Sequence, residues 1–253
     1  MLERFLKKAL SCLCLLAMSM SFGACGDKKP NMAAKPVTPA KAAAASAPAP
    51  AKRAGVPTKT AAVKRLDAVP DLSGRKILIA YFTRAENSDM KSATSVDVDA
   101  RTSASLKTPG NVGRMARIIR KKVGGDLFSI MVKDPYPADY NAVLDRANEE
   151  EKKELRPEIV NAPENLDPYD VIFIGYPNWC YSIPMACLTF VEKYDFTGKI
   201  VIPFVSHGTG GLAASSRTLE RSIPGATVVK PISIERDEIG QAEARISQWL
   251  EQR

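Results

Sequence analysis

The chain has 253 residues, 45% of them hydrophobic and 25% charged, with a formal net charge of +8. The excess is local: residues 1–70 hold 12 Lys/Arg and 3 Asp/Glu, leaving 24 and 25 for residues 71–253. A basic isoelectric point set by one terminal segment is no evidence for a nucleic-acid partner, and a basic segment lying beside an anionic membrane surface is the simpler account. With one histidine, His207, a His-rich metal site is excluded, and no metal ligand set is expected.

The N-terminus reads as an export signal over residues 1–24. Arg4, Lys7 and Lys8 form a basic start, and the apolar stretch from Ala9 to Phe22 is too short to span a bilayer comfortably. Gly23 and Ala24 supply the small residues before Cys25. "SFGAC" resembles a bacterial lipobox in which Cys25 becomes the acylated first residue, although Phe22 stands where Leu is usual. Plain secretion with cleavage near Ala24 is the alternative. The expected location is extracytoplasmic, as a membrane-anchored bacterial lipoprotein. Residues 25–71 then carry the lipid on Cys25 and an Ala/Pro/Lys tether. Such a composition cannot bury enough apolar surface to offset its ordering entropy, and its mean reach as a coil is roughly 40 Å.

From residue 72 to 253 one domain is expected, with strands and helices in alternation. Ile77–Phe82 is a continuous apolar strand of the kind covered on both faces. Residues 86–107 depart as a loop. Asn111–Val123 is helical: Val112, Met115, Ile118, Ile119 and Val123 share a face, and Gly124–Gly125 ends it. Leu127–Val132 is a second strand, and 138–155 a helix whose "NEEEKKEL" end reads as a solvated face. Val171–Gly175, Ile200–Val205 and Thr227–Ile234 complete the strands. Pro184–Tyr194, Leu212–Ser222 and Asp237–Glu251 complete the helices. This alternation implies an α/β fold, a doubly wound parallel sheet with right-handed crossovers. Ligands of such sheets bind beyond the carboxyl ends of the strands, at the topological switch point.

Three loops fall at that edge. Thr83-Arg84-Ala85 leaves the first strand, and Pro109-Gly110-Asn111 opens the first helix, so a phosphate loop is split by the intervening segment. A phosphate there would meet free backbone N–H groups and the positive end of the helix dipole. A strand, a long loop and an ordinary helix are the plainer account of the same residues. "GYPNWCYSIP", 175–184, puts Tyr176, Trp179 and Tyr181 after the third strand. Aromatics exposed there suit a flat partner, as they also suit a core or an interface. "SHGTGG", 206–211, follows the fourth strand, and its glycines allow close backbone approach. Of five cysteines, Cys12 and Cys14 leave with the leader. Cys180 and Cys187 fit neither a redox CxxC nor a zinc spacing; they could pair, or Cys187 is a small core residue.

Taken in order, "ILIAYFTRA", "PGNVGRMARII", "GGDLFSI", "PYPADYN", "YDVIFIGYPNW", "TFVEKYDFTGKIVIPFVSHGTGG" and "PGA" resemble the flavodoxin-like FMN-binding family, in the branch with an insertion in the phosphate loop. The resemblance covers residues 75–250 and implies a five-stranded sheet of order 2-1-3-4-5 with FMN at its edge. It implies that Thr83, Arg84, Ala85, Asn111 and Val112 surround the phosphate. Pro177, Asn178, Trp179, Cys180 and Tyr181 would line the isoalloxazine, and His207, Gly208 and Gly211 would form the third loop. Val112 stands where the family often has Thr, and Cys180 where many relatives have a second aromatic. Both departures argue for weaker FMN binding.

The function implied is electron transfer at the outer face of a membrane, with a redox partner protein or a small-molecule electron donor or acceptor. No acid–base pair marks a catalytic residue. A flavin-dependent reductase of quinones or small molecules, and a binding protein that kept the fold without flavin, are the alternatives. Residues 99–105, Asp-Ala-Arg-Thr-Ser-Ala-Ser, also resemble the target of extracytoplasmic flavin transferases, with Ser105 in the acceptor place. The other reading is noncovalent contact with FMN through Thr102, Ser103 or Ser105.

Overall fold

The computed structural model describes residues 61–92 and 105–252. The leader, Cys25, tether residues up to 60, and Asp99, Thr102 and Ser103 lie outside the described residues. In chain order the strands are β1 (Lys64–Leu66), β2 (Ile77–Tyr81), β3 (Ser88–Asp89), β4 (Asp126–Ser129), β5 (Tyr136–Pro137), β6 (Val171–Pro177), β7 (Ile200–His207), β8 (Thr227–Val229) and β9 (Ile232–Glu235). The helices are α1 (Gly110–Val123), α2 (Tyr140–Lys152), α3 (Met185–Val191), α4 (Ser215–Ser222) and α5 (Ala242–Glu251). None of the helices among the described residues is long and apolar enough to cross a membrane.

Seven strands form one sheet, running β4, β2, β6, β7, β8, β1 from edge to edge, with β9 also against β7. Every pairing is parallel. The period of two along β2 assigns its side chains. Ile77, Ile79 and Tyr81 enter the core beneath α1 and α5, while Leu78 and Ala80, followed by Phe82, enter the core beneath α2, α3 and α4. Apolar cores on both faces explain why the strands read as continuous apolar runs. At Gly175, in the middle of the sheet, a Cβ would overlap the ring of Phe204 on β7.

Four expectations are corrected. The fold begins before residue 72: β1 pairs with β8, and Val69 is 3% exposed, so the last residues assigned to the tether are part of the domain. The sheet has seven strands rather than five, because β1 adds an edge and Thr227–Ile234 is two strands. Pro231 has no N–H for the ladder and separates the two, while Lys230 N–H continues the β1–β8 pairing by donating to Leu66 O at 2.7 Å. Third, the excursion departs later than residue 86. Asn87, 2% exposed, donates through Nδ2 to Thr83 O and Ile130 O, both at 3.0 Å, and accepts from Val132 N–H at 2.8 Å. It therefore binds the end of β2 to the chain leaving β4, and it opens the short β3–β5 ladder. Fourth, the "NEEEKKEL" end of α2 is not wholly solvated. Glu150 is 5% exposed and accepts from Tyr136 OH at 2.7 Å and Arg146 Nε at 2.9 Å.

Candidate functional site

The carboxyl ends of β2, β6, β7 and β9 open into one cavity of about 540 Å³, within the usual range of small-molecule sites, roughly 300–1,000 Å³. The split loop is brought together there. Arg84, Asn111 and Ser105 all line the cavity. Arg84 is 7% exposed, and its guanidinium donates to Ala138 O at 2.8 Å. Thr83, Ala85 and Val112 are buried behind this wall rather than in it. Gly110 has φ +71°, and a Cβ there would overlap Thr83 Oγ1 and meet Ala85 Cβ and Ser105 O. Only glycine permits that approach of α1 to β2. The N-terminus of α1 has no side-chain cap among the described residues; Gly110 N–H donates to Lys107 O at 2.6 Å, and the N–H groups that follow in the first turn are the ones a helix start can offer to an anion.

The loop after β6 is a tight hairpin. Trp179 and Ser182 exchange backbone hydrogen bonds at 3.0 and 2.7 Å, and Cys180 and Tyr181 between them have φ +49° and +63°. Two successive left-handed residues are the mark of a primed turn, which normally takes Asn or Gly. Here the conformation is held from outside, by Ala214 N–H donating to Tyr181 O at 3.0 Å. The turn aims the two aromatics differently. Tyr181 is 72% exposed at the cavity mouth, its ring beside Gly210. The Trp179 indole packs nearly perpendicular to Phe82 and Tyr136, with centroids 5.3 and 5.1 Å away, and reaches the cavity as part of the core. Behind it, burial and then the charge of Glu150 raise the Tyr136 pKa, so its hydroxyl stays protonated and donates. Arg146 closes this network, 4.1 Å over the Tyr136 ring.

Pro177 and Asn178 line the floor. Asn178 Nδ2 donates to Gly211 O, which ties the second loop to the third. Gly211 itself is not in the wall, whereas His207 and Gly208 are. His207 Nδ1 lies 2.5 Å from Gly208 O; a carbonyl only accepts, so Nδ1 carries a proton. Cys180 and Cys187 are both free thiols. Burial first, then the nearby charge of Glu151, pushes the Cys180 thiol up.

Sequence reasoning missed one whole wall and one cation. Tyr140, Val143, Leu144 and Ala147 of α2 line the cavity. Their i, i+3, i+4, i+7 spacing is the signal that could have found them, since Tyr140 and Leu144 remain exposed and serve no core. Arg236, immediately after β9, also lines it. Nothing local marks that residue; it follows only from the place of β9 beside β7.

Two buried polar atoms of the wall, Asn111 Oδ1 and Asn178 Oδ1, have no hydrogen-bond partner among the described residues. Buried polar groups of native structures are almost always paired, so the cavity offers hydrogen-bonding positions to a ligand at both the α1 side and the floor.

Three solved structures are similar to this chain, the first of them at a TM-score above 0.5. A protein of Bacteroides uniformis assigned as a flavoprotein aligns at 25% identity and TM-score 0.53, covering 69% of this chain and 99% of that one. One from Bacteroides eggerthii, likewise assigned, aligns at 28% identity and TM-score 0.49, covering 70% and 98%. A flavoprotein in complex with FMN from Lactobacillus acidophilus aligns at 18% identity and TM-score 0.46, covering 70% and 99%. Comparison with curated proteins returns no match. The flavodoxin family model matches residues 99–253, more than half of the chain and the stretch that builds α1 and every later element of the cavity, and the chain belongs to that family.

Proposed function

We propose that the protein binds FMN in this cavity and carries electrons on the outer side of a membrane, as a member of the flavodoxin branch with an inserted phosphate loop. The observation that carries this reading is the division of the cavity wall. A buried guanidinium, a hydroxyl and an uncapped helix start lie on the α1 side, and aromatic and apolar side chains lie on the β6 and α2 side. That division matches a ligand with a phosphate at one end and a flat ring at the other. Arg84 would hold the phosphate together with the backbone N–H groups at the start of α1, and Asn111 could donate to it only through Nδ2, since its Oδ1 accepts. Trp179 and Tyr181 would border the ring, and Asn178 Oδ1 would accept from a ring N–H. The bound flavin would supply one- and two-electron chemistry. The chain's part is to bind it and to keep water from one face through the Trp179–Tyr136 packing.

Export and anchoring complete the proposal. The leader ending in Gly23-Ala24-Cys25 supports acylation at Cys25, and the basic tether supports a place beside an anionic surface. Ser105 borders the cavity beside Arg84 and Asn111, and we read it as a noncovalent phosphate contact. Intact-mass measurement of exported, denatured protein tests this: an adduct of FMN mass, lost in Ser105→Ala, would establish a phosphoester instead.

The phosphate assignment predicts selectivity. Equilibrium titration of flavin-free protein with FMN and with riboflavin, followed by flavin fluorescence, compares them directly. FMN is expected to bind at least about 100-fold more tightly, since charge-assisted hydrogen bonds are worth roughly 1.5–3 kcal/mol each. Equal affinities would reject the assignment, and absence of binding by either would reject flavin as the ligand.

A further inference from the structure

The described residues lining the cavity include Arg84, Arg236 and His207 but no Asp or Glu, although acids outnumber bases over residues 71–253 by 25 to 24. The two arginines stand at different places. Arg84 leaves β2, and Arg236 leaves β9, three strands across the sheet through β6 and β7. At the usual strand spacing the two backbones are roughly 14 Å apart. The register places Glu235 opposite His207, so Arg236 comes directly off the sheet beside the third loop.

These cations also differ in what holds them. The Arg84 guanidinium is buried against Ala138 O. The Arg236 side chain is 63% exposed, and its closest carboxylate is that of adjacent Asp237 at 3.8 Å. Other arginines of this domain are engaged more fully: Arg146, Arg156 and Arg245 each donate hydrogen bonds to a carboxylate on another turn or element. FMN has one phosphate. With that phosphate at α1, as proposed above, no anionic group of the oxidised cofactor is left for Arg236.

We propose that Arg236 binds the anionic group of a small redox partner, a flat aromatic molecule bearing a carboxylate, sulfonate or phosphate, which enters by the Tyr181 mouth. This inference rests on the FMN reading and names the substrate class of the same site. Exposed Tyr181 offers a ring face to such a molecule. Arg236 offers the planar, permanently charged fork that suits an oxyanion.

The test uses FMN-loaded protein and a matched pair of oxidants, 1,4-naphthoquinone and its 2-sulfonate. FMN uptake is measured first. The protein is reduced with dithionite, excess reductant is removed, and re-oxidation is followed by flavin absorbance. Each quinone takes two electrons and two protons and becomes the hydroquinone, while the protein returns to its oxidised state. The quantity read is the ratio of the rate with the sulfonate to the rate with the neutral quinone, in which the driving force of each quinone cancels between variants. A second readout is the dissociation constant of the oxidised sulfonate, from its perturbation of the oxidised flavin spectrum. Arg236→Gln is expected to lower the rate ratio by about 5–10-fold at low ionic strength and to weaken sulfonate binding similarly. Added salt is expected to shrink the difference. Arg120→Gln, the same charge change on an exposed part of α1, is expected to alter neither. An unchanged ratio and unchanged binding in Arg236→Gln, or equal effects of the two substitutions, would overturn this inference alone. No FMN uptake by the parent chain would overturn it together with the FMN reading.

Discussion

Tyr181 and Trp179 sit two positions apart on one hairpin and carry different loads. Tyr181 is exposed and costs the backbone a left-handed conformation, a burden of about 1–2 kcal/mol for a side-chain-bearing residue. Tyr181→Gly is therefore expected to raise stability by about 1 kcal/mol in urea denaturation, while weakening FMN binding by roughly 2–10-fold through loss of an aromatic contact. A stability loss would contradict the strain assigned to its backbone, and unchanged binding would contradict its assignment as a ligand contact. Trp179→Ala removes core packing against Phe82 and Tyr136. It is expected to cost about 2–4 kcal/mol of stability as well as FMN affinity. The sequence put both residues in one class, exposed aromatics at a switch point. Only packing separates them, because the partners of Trp179 lie 97 and 43 positions upstream, beyond any local pattern.

The cysteines are the second test at this scale. Cys180 and Cys187 are free thiols, and burial raises the pKa of both. A raised thiol pKa leaves less thiolate at a given pH, so reaction rate falls at neutral pH and recovers only as pH rises through the shifted value. A native chain starting after Cys25 is expected to react with a disulfide reagent at pH 8 several-fold more slowly than free cysteine, about tenfold or more at Cys187. Denaturation is then expected to release two reactive thiols. Fewer than two would mean that they pair.

Among the elements, those set by local pattern were legible. β2, β6 and β7 are apolar runs, and α1 has a clear periodicity ended by Gly124–Gly125; the Asp139 cap of α2, which accepts from Ala142 N–H at 2.7 Å, is a signal the sequence reading left unused. What the pattern could not show depends on partners distant in the chain. β1 is three residues of ordinary composition whose strand character comes from pairing with β8. β3 and β5 have two residues each and exist through the bracket at Asn87. Pro231 is a strand breaker in the sequence, and the single-strand reading of Thr227–Ile234 took no account of it. The recovered edge carries a prediction. A domain cut at residue 72 loses β1 and buried Val69, a side chain whose burial is worth about 1.5–3 kcal/mol. It is expected to unfold at lower urea than one beginning at residue 58 by at least that amount. Equal midpoints would return residues 61–71 to the tether.

For the whole molecule, the fold was legible because each local signal agreed with a parallel α/β sheet, and three of the four cavity walls came from loops the switch-point rule selects. The α2 wall and Arg236 were not, since a helix face and a strand end acquire their place only through the crossover that positions them. The N-terminal segment joins this domain to a proposed membrane anchor. Cys25→Ala is expected to shift the protein from the membrane to the soluble extracytoplasmic fraction, because acyl chains bind at about 0.8 kcal/mol per buried CH₂. Equal sedimentation with membranes would reject lipidation.

The central claim, that this cavity holds a flavin mononucleotide, is tested most directly by the visible absorption spectrum of the protein purified from its exported compartment, with the flavin released by denaturation and quantified. A yellow protein with the visible absorption of an oxidised flavin and about one FMN per chain is expected. A colourless protein that gains no such absorption on addition of FMN would contradict the claim.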